Sequence, residues 1–368
     1  MSGETLSKIV LLFIFLTILS SVKAQPPTAA GQKRALLIGV NYVENKVTGS
    51  CLNEKKIRVS ARNCSWWSLE PKADLDLIEA TLTAKNLGFK KENITRLETY
   101  AQTTRRAIIS ALEKLIKTTG AGDIVYIHVI AHGQPLPDQA AFPDRDEIDN
   151  SDESIVPSDY ISMFDGRNNI RDDDFGKRLD ELAERHPLNV TIAFDSCFSA
   201  TGVKDFTLPV GGNPLKIESN DGQPDSQSGF VEKKLPDNFI FLSAASQSQT
   251  ASRQRADMPD SCLSIDAGKK QEVHGFFTFF LADGLKTATA YTNYSDLIGE
   301  INRKTKACSN YYSSADRQTA QFEGNGGLVL FGSEILPSND FIGIFIKDRT
   351  LILEAGSFRG LTEGSEFE

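Results

Sequence analysis

The sequence predicts an α/β domain built on a mostly parallel sheet with helices on both faces. Three observations carry that prediction. Short apolar runs rich in branched residues alternate with longer segments of helical spacing, which is the βα rhythm of a parallel sheet. The runs at 34–40, 124–130 and 190–194 are apolar on both parities, as strands covered on both faces are. Two of them end directly on chemically capable residues, Ala131-His132-Gly133 and Asp195-Ser196-Cys197.

Taken in order, Arg34 to Val40 (RALLIGV) reads as a buried first strand ending at Asn41-Tyr42, and a polar insertion follows from Glu44 to Ser68. Leu69 to Leu87 has helical spacing at Leu75, Ile78, Leu82 and Leu87, with Gly88 as its stop. Ile94 to Leu97 is a short strand, and Thr103 or Thr104 caps a helix carrying Ile108, Leu112 and Leu115. The third strand starts at Asp123 and ends at His132. An acidic loop, Asp144 to Glu153, precedes a helix over Asp172 to His186 with Phe175, Leu179 and Leu182 on one face. The next strand delivers Cys197.

From about Thr201 to Pro236 the composition shifts to Gly, Pro, Asn, Ser and Asp, which reads as a surface connection carrying lysines 204, 216, 233 and 234. Phe239 to Leu242 then resumes as a strand, 276–285 and 296–306 as helices, and Gly327 to Phe331 as a last short strand. After Pro337, short strands at 341–346 and 351–353 separated by glycines look like the start of a small β-module. The domain reading is therefore 1–24 signal peptide, 25–333 the main α/β domain and 334–368 the opening of a β-module cut short.

The bulk numbers agree with one large core plus a satellite: 368 residues, 40% apolar and 24% charged. Lys8, the apolar stretch from Ile9 to about Leu19 and Val22-Lys23-Ala24 read as a cleavable secretory signal, with an uncleaved anchor as the alternative. Removal of that segment, a net +1, takes the chain from −9 to −10. No basic run stands out, which argues against nucleic acid or an anionic membrane as partner. Export places thiols where they oxidise, and five cysteines leave at least one unpaired. Cys197 is the candidate for the odd one. The pairs 51–64 and 262–308 are compatible with the spacing, although sequence does not decide connectivity.

A thiol attacks as its thiolate, and a neighbouring imidazole takes the proton, so Cys197 and His132 make a candidate nucleophile and base. Parallel strands bring their carboxyl ends to one edge, where residues 65 apart in sequence meet. The N–H groups of Gly133 and Cys197 would form an oxyanion hole, because glycine lets the backbone approach a substrate carbonyl. His128, within its strand, reads as core; His186 and His274 read as structural. A phosphatase loop is excluded because Val203 stands where its arginine is required. A hydrolase elbow is excluded by Asp195 and Ser199 at its glycine positions, and zinc ligand spacings do not accompany the pair.

With those residues in view, the chain resembles the caspase-like cysteine peptidases, in their metacaspase and bacterial caspase-like branch. RALLIGVNY, DIVYIHVIAHG, DEIDNSDESIVPSDY, TIAFDSCFSA, FIFLSAASQSQTA and HGFFTFFLADGL follow the family's order over Arg34 to about Gly332. The resemblance implies a caspase-like fold and an endopeptidase working through an acyl-enzyme on Cys197 with His132 and no required third member. It also implies a pocket in which Asp195 binds the Arg or Lys before the cut. A second pocket carboxylate, which the family pattern places at Leu75, has Asp74 and Asp76 on either side, and Asp74 is taken as the candidate. Asp159, Asp172, Asp173 and Asp205 match positions that bind calcium in some metacaspases, so no cofactor is required but Ca2+ is a possible one. The implied partner is a protein or peptide substrate, at a secreted or periplasmic location. Phe198, Ser199 and Ala200 after the cysteine and Ile130-Ala131 before the histidine depart from the usual pattern. They keep two alternatives open, a catalytically inactive caspase-like binding module and a legumain-like transamidase or ligase.

Overall fold

The structure, a computed structural model, describes residues 31–43, 50–53, 55–137, 151–196, 236–245, 251–254, 258, 262, 272–308, 318–336, 344–347 and 350–353. The expected signal segment, the connection at 201–235, Cys197 and Asp205 lie outside the described residues.

In chain order the elements are β1 (Lys33–Gly39), β2 (Ser50–Leu52), β3 (Arg58–Ser60), α1 (Lys72–Thr83), β4 (Ile94–Leu97) and α2 (Arg105–Thr118). Then come β5 (Ile124–Ile130), β6 (Gly133–Pro137), β7 (Ser151–Ile155), β8 (Ile170–Arg171), α3 (Asp172–Ala183), β9 (Asn189–Asp195) and β10 (Phe239–Ser243). The described chain closes with α4 (Phe276–Thr287), α5 (Tyr294–Cys308), β11 (Gln321–Gly324), β12 (Ile344–Lys347) and β13 (Thr350–Leu353).

Six strands form the central sheet in the order β11-β10-β9-β5-β1-β4, parallel except for β11, which runs antiparallel on β10. Side chains of alternate parity leave each strand on opposite faces. Ala35, Leu37, Tyr126, Ala193 and Ile240 therefore pack under α1, α4 and α5, whereas Leu36, Ile38, Val125, Ile127, Ile192 and Phe241 pack under α2 and α3. The result is a three-layer α/β/α sandwich, as the two-sided apolar strands require. Three antiparallel strands, β6-β7-β8, form a small separate sheet directly after His132, and β2 pairs with β3 as a hairpin in the insertion.

Two features differ from the sequence reading. The last strand of the sheet is β11, at 321–324, a short half-buried edge whose alternation is too brief to read. Residues 328–331 are buried but turn, with Phe331 at φ 56° and its ring against Phe89 and Tyr126. Apolarity there reports burial, not an extended backbone. Both cysteine pairings form, Cys51–Cys64 and Cys262–Cys308. Among the described residues no helix is long and apolar enough to cross a membrane.

Candidate active site

The register of two neighbouring strands builds the site. In the parallel pair β5 and β9, Ile130 lies opposite Asp195. His132 stands two residues beyond Ile130, and Cys197 stands two residues beyond Asp195 in the sequence. Adjacent strands are about 4.8 Å apart, so the chain carrying the thiol leaves the sheet beside the strand carrying the imidazole. Ser196, the last described residue before Cys197, is buried.

His132 is 2% exposed and is held on every side. Its backbone N–H donates to the Tyr42 hydroxyl (2.8 Å), which donates to the carbonyl of Val156 (2.7 Å). The Val156 N–H returns a bond to the His132 carbonyl (2.9 Å). The ring stacks on Trp66 (centroids 4.7 Å apart) and meets Trp67 edge-on (4.5 Å). Nε2 lies 2.8 Å from the Trp67 carbonyl, which only accepts, so Nε2 carries the proton and Nδ1 is the basic nitrogen. Burial, opposed by that one bond, lowers the imidazole pKa to about 4, so the ring is neutral at pH 7. Gly133 opens β6 opposite Ile155.

Trp66 and Trp67 come from the end of the insertion that the sequence presents only as polar. Cys64, two residues earlier, is tied to Cys51, its carbonyl accepts from Met163 (2.8 Å), and Trp66 N–H donates to the Tyr160 hydroxyl (3.0 Å). Tyr42 was legible as a rim residue, since it follows β1, the parallel neighbour of β5. The Trp67 carbonyl was not, because backbone acceptors leave no residue-type signal.

Asp195 ends β9 on the face covered by α4. Its Oδ2 accepts from the Thr278 N–H (3.2 Å) and hydroxyl (2.5 Å), so it caps the first turn of α4 from a different element. Burial, and behind it the charge of Asp74, push this carboxyl up to about 6 against the pull of Thr278 and Arg253. The Thr278 hydroxyl also takes a bond from His128 Nε2 (3.1 Å), whose Nδ1 lies 2.8 Å from the Tyr126 hydroxyl. His128 is thus in the core, as its position in β5 predicts, and it braces the residue that braces Asp195.

Asp74 lies in the first turn of α1, fully buried. Its Oδ2 accepts from Arg253 Nη1 (2.7 Å), and its Oδ1 from His274 Nδ1 (3.1 Å) and the Gly275 N–H (3.0 Å). Asp76 is two residues on, about 200° around the helix, and turns away to pair with Lys72 and Arg96. Gly275 separates the two pocket carboxylates: a β-carbon there would stand 2.2 Å from Asp195 Oδ2. Asp74 and Asp195 are therefore brought to one place, but Asp74 is filled by the chain's own cation. His274, read as structural in the sequence, is one of its partners.

Of the calcium set, Asp205 lies outside the described residues, and the other three are placed as follows. Asp159 Oδ1 accepts the Arg105 N–H that opens α2 (2.8 Å), and Asp172 and Asp173 form the first turn of α3, where Asp172 Oδ1 takes the Asp173 N–H. Among the described residues no three acidic, histidine or cysteine side chains gather as a metal site, and no step is assigned to calcium.

The fold is α/β, and it holds a neutral imidazole whose Nδ1 takes no hydrogen bond from a described residue, just past the end of the strand beside β9. Residues 33–205 match the family model of the metacaspase, peptidase C14 domain. Relatives include metacaspase-7 of Arabidopsis thaliana, 31% identical over 58% of this chain and 46% of its own, and metacaspase III c of Phaeodactylum tricornutum, 34% identical over 59% and 52%. Over residues 33–205 the chain is therefore similar to the caspase-like cysteine peptidases, the family that the model match and the relatives support. It spans about half the length of the curated relatives it matches. Among solved structures, caspase-1 of Spodoptera frugiperda aligns over 83% of this chain and 91% of its own at 12% identity, with a TM-score of 0.43.

Proposed function

We propose that this protein is a cysteine endopeptidase that cleaves after Arg or Lys through Cys197 and His132. The observation that supports the reading is the β5–β9 register, Ile130 opposite Asp195, because His132 and Cys197 each follow two residues later in the sequence. His132 Nδ1 takes the thiol proton, and the thiolate attacks the peptide carbonyl to form a tetrahedral adduct. The N–H groups of Gly133 and Cys197 receive the developing oxyanion. His132, now an imidazolium between the Trp66 face and the Trp67 carbonyl, returns the proton to the leaving amine. Water then hydrolyses the acyl-enzyme with the same ring as base.

A basic side chain before the cut would reach Asp195, the carboxylate two residues from the nucleophile. Export is part of the proposal, supported by the N-terminal segment and by two disulfides, which persist in oxidising compartments.

Reaction with a peptidyl electrophile ending in Arg is expected to label Cys197 in the wild type and to be absent in Cys197→Ala. His132→Ala is expected to lower peptide hydrolysis by about 10²–10⁴-fold. A His132→Ala enzyme at the wild-type rate would remove the base from the mechanism. Unlabelled Cys197 in a protein that still binds peptide would point to an inactive module, and joined product from an added amine to a ligase.

A further inference from the structure

We propose that Arg253 is the specificity-determining residue of the primary pocket: an internal cation that takes up Asp74 and leaves Asp195 as the single carboxylate open to the substrate. The proposal rests on the peptidase reading above and concerns what the pocket at that site selects.

The backbone fixes where Arg253 stands. Residues 252–254 run antiparallel beside 274–276: Phe276 N–H donates to the Ser252 carbonyl (3.0 Å), Gln254 N–H to the His274 carbonyl (2.8 Å), and Arg253 bridges Gly275. Gly275 is also the residue against which both carboxylates lie, through its N–H to Asp74 and the missing β-carbon at Asp195. Arg253 is therefore built into the pocket wall and does not swing in from a distance. Its guanidinium is pinned twice, by Nη1 on Asp74 Oδ2 (2.7 Å) and Nη2 on the Val273 carbonyl (2.9 Å), and its side chain is 27% exposed.

The two carboxylates are satisfied unequally. Asp74, fully buried, has a guanidinium, an imidazole N–H and a backbone N–H. Asp195 has both of its bonds, from Thr278, on Oδ2. Its Oδ1 accepts no hydrogen bond from a described residue. Two carboxylates and one guanidinium leave the pocket one negative charge, so a substrate cation meets one charged contact where the sequence implies two. A buried ion pair deprived of one partner exposes a strong field, and that is the field Arg253 suppresses. Its consequence is a pocket that prefers basic side chains moderately and tolerates neutral side chains of the same shape.

The test compares two fluorogenic peptides that differ only before the cut, Arg in one and citrulline, its uncharged isostere, in the other. Arg253→Gln is expected to raise the Arg/citrulline ratio of kcat/KM by about tenfold or more, the worth of one added charged contact, through KM rather than kcat. Asp74→Asn with Arg253→Gln removes the new charge again and is expected to restore the wild-type ratio. Asp195→Asn is expected to bring the ratio close to one. An unchanged ratio in folded Arg253→Gln, or equal losses on both peptides, would overturn the proposal. If Arg253→Gln fails to fold, the double variant decides alone: a wild-type ratio supports the proposal and a changed one overturns it. A peptide ending in Glu cleaved faster than the Arg peptide by the wild type, and slowed by Arg253→Gln, would instead sink the basic preference itself and make Arg253 the substrate's partner.

Discussion

Asp195→Asn tests whether the pocket trades stability for charge. Burial, and after it the charge of Asp74, push the Asp195 carboxyl up from the ordinary 3.8 to about 6. A folded-state pKa above the unfolded one means that the stability present below pH 3.8 is lost as pH rises through about 6. That shift corresponds to a cost on the order of 3 kcal/mol above pH 6, at 1.36 kcal/mol per unit. The groups facing this carboxylate are Asp74, which raises the cost, and Arg253 and Thr278, which lower it; His274 sits behind Asp74. Asparagine keeps an acceptor for Thr278 and carries no charge. Urea unfolding of both proteins at pH 4 and pH 7.5 should therefore show the variant gaining on the wild type by about 2.4 kcal/mol between the two conditions. Its preference for Arg over citrulline should vanish, while the wild-type preference should fade as pH drops below about 6. A stability difference that does not change with pH would show that Asp195 is not held at an energetic cost, and the electrostatic account of the pocket would be withdrawn.

Two further outcomes follow from the same structure. His128 and His132 are both lowered to about 4 by burial, so unfolded chains take up protons that the folded protein refuses; stability should fall as pH drops below 6.5, and His128→Gln should flatten part of that slope in acid-unfolding curves. Replacing Cys51 and Cys64 by Ser opens a loop of 13 residues, for which a stability loss of about 3 kcal/mol is expected. The same double variant should lower kcat, because Trp66 and Trp67 just downstream hold the His132 ring; full activity would show that the insertion is not needed to fix the base.

Much of this protein is legible from the chain alone, for a physical reason. Strands covered on both faces must be apolar at every position, so β1, β5 and β9 announce themselves, and the residue that ends each run is the residue delivered to the rim. Position along the sequence thus singles out His132, Asp195 and Cys197 without any contact being known. Local patterns fail where burial and backbone path part company. The apolar 327–331 segment turns rather than extends, and the edge strand at 321–324 is too short to show its alternation.

What only the folded molecule decides is which charges meet. Asp74 and Arg253 are 179 positions apart and Asp74 and His274 are 200 apart, joined because α1 and the start of α4 cover one face of the sheet. Neither periodicity nor residue type forecasts such a pairing, since long-range packing chooses the partner and burial sets the strength of the interaction. The nitrogen of His132 that stays free was likewise settled by a backbone carbonyl, Trp67, whose place no side-chain pattern records. Amino-acid order alone names the candidate residues, His132, Asp195 and Cys197. Their protonation and their pairing came from the packing of distant segments, because electrostatic energy depends on distances in space and on exclusion of water.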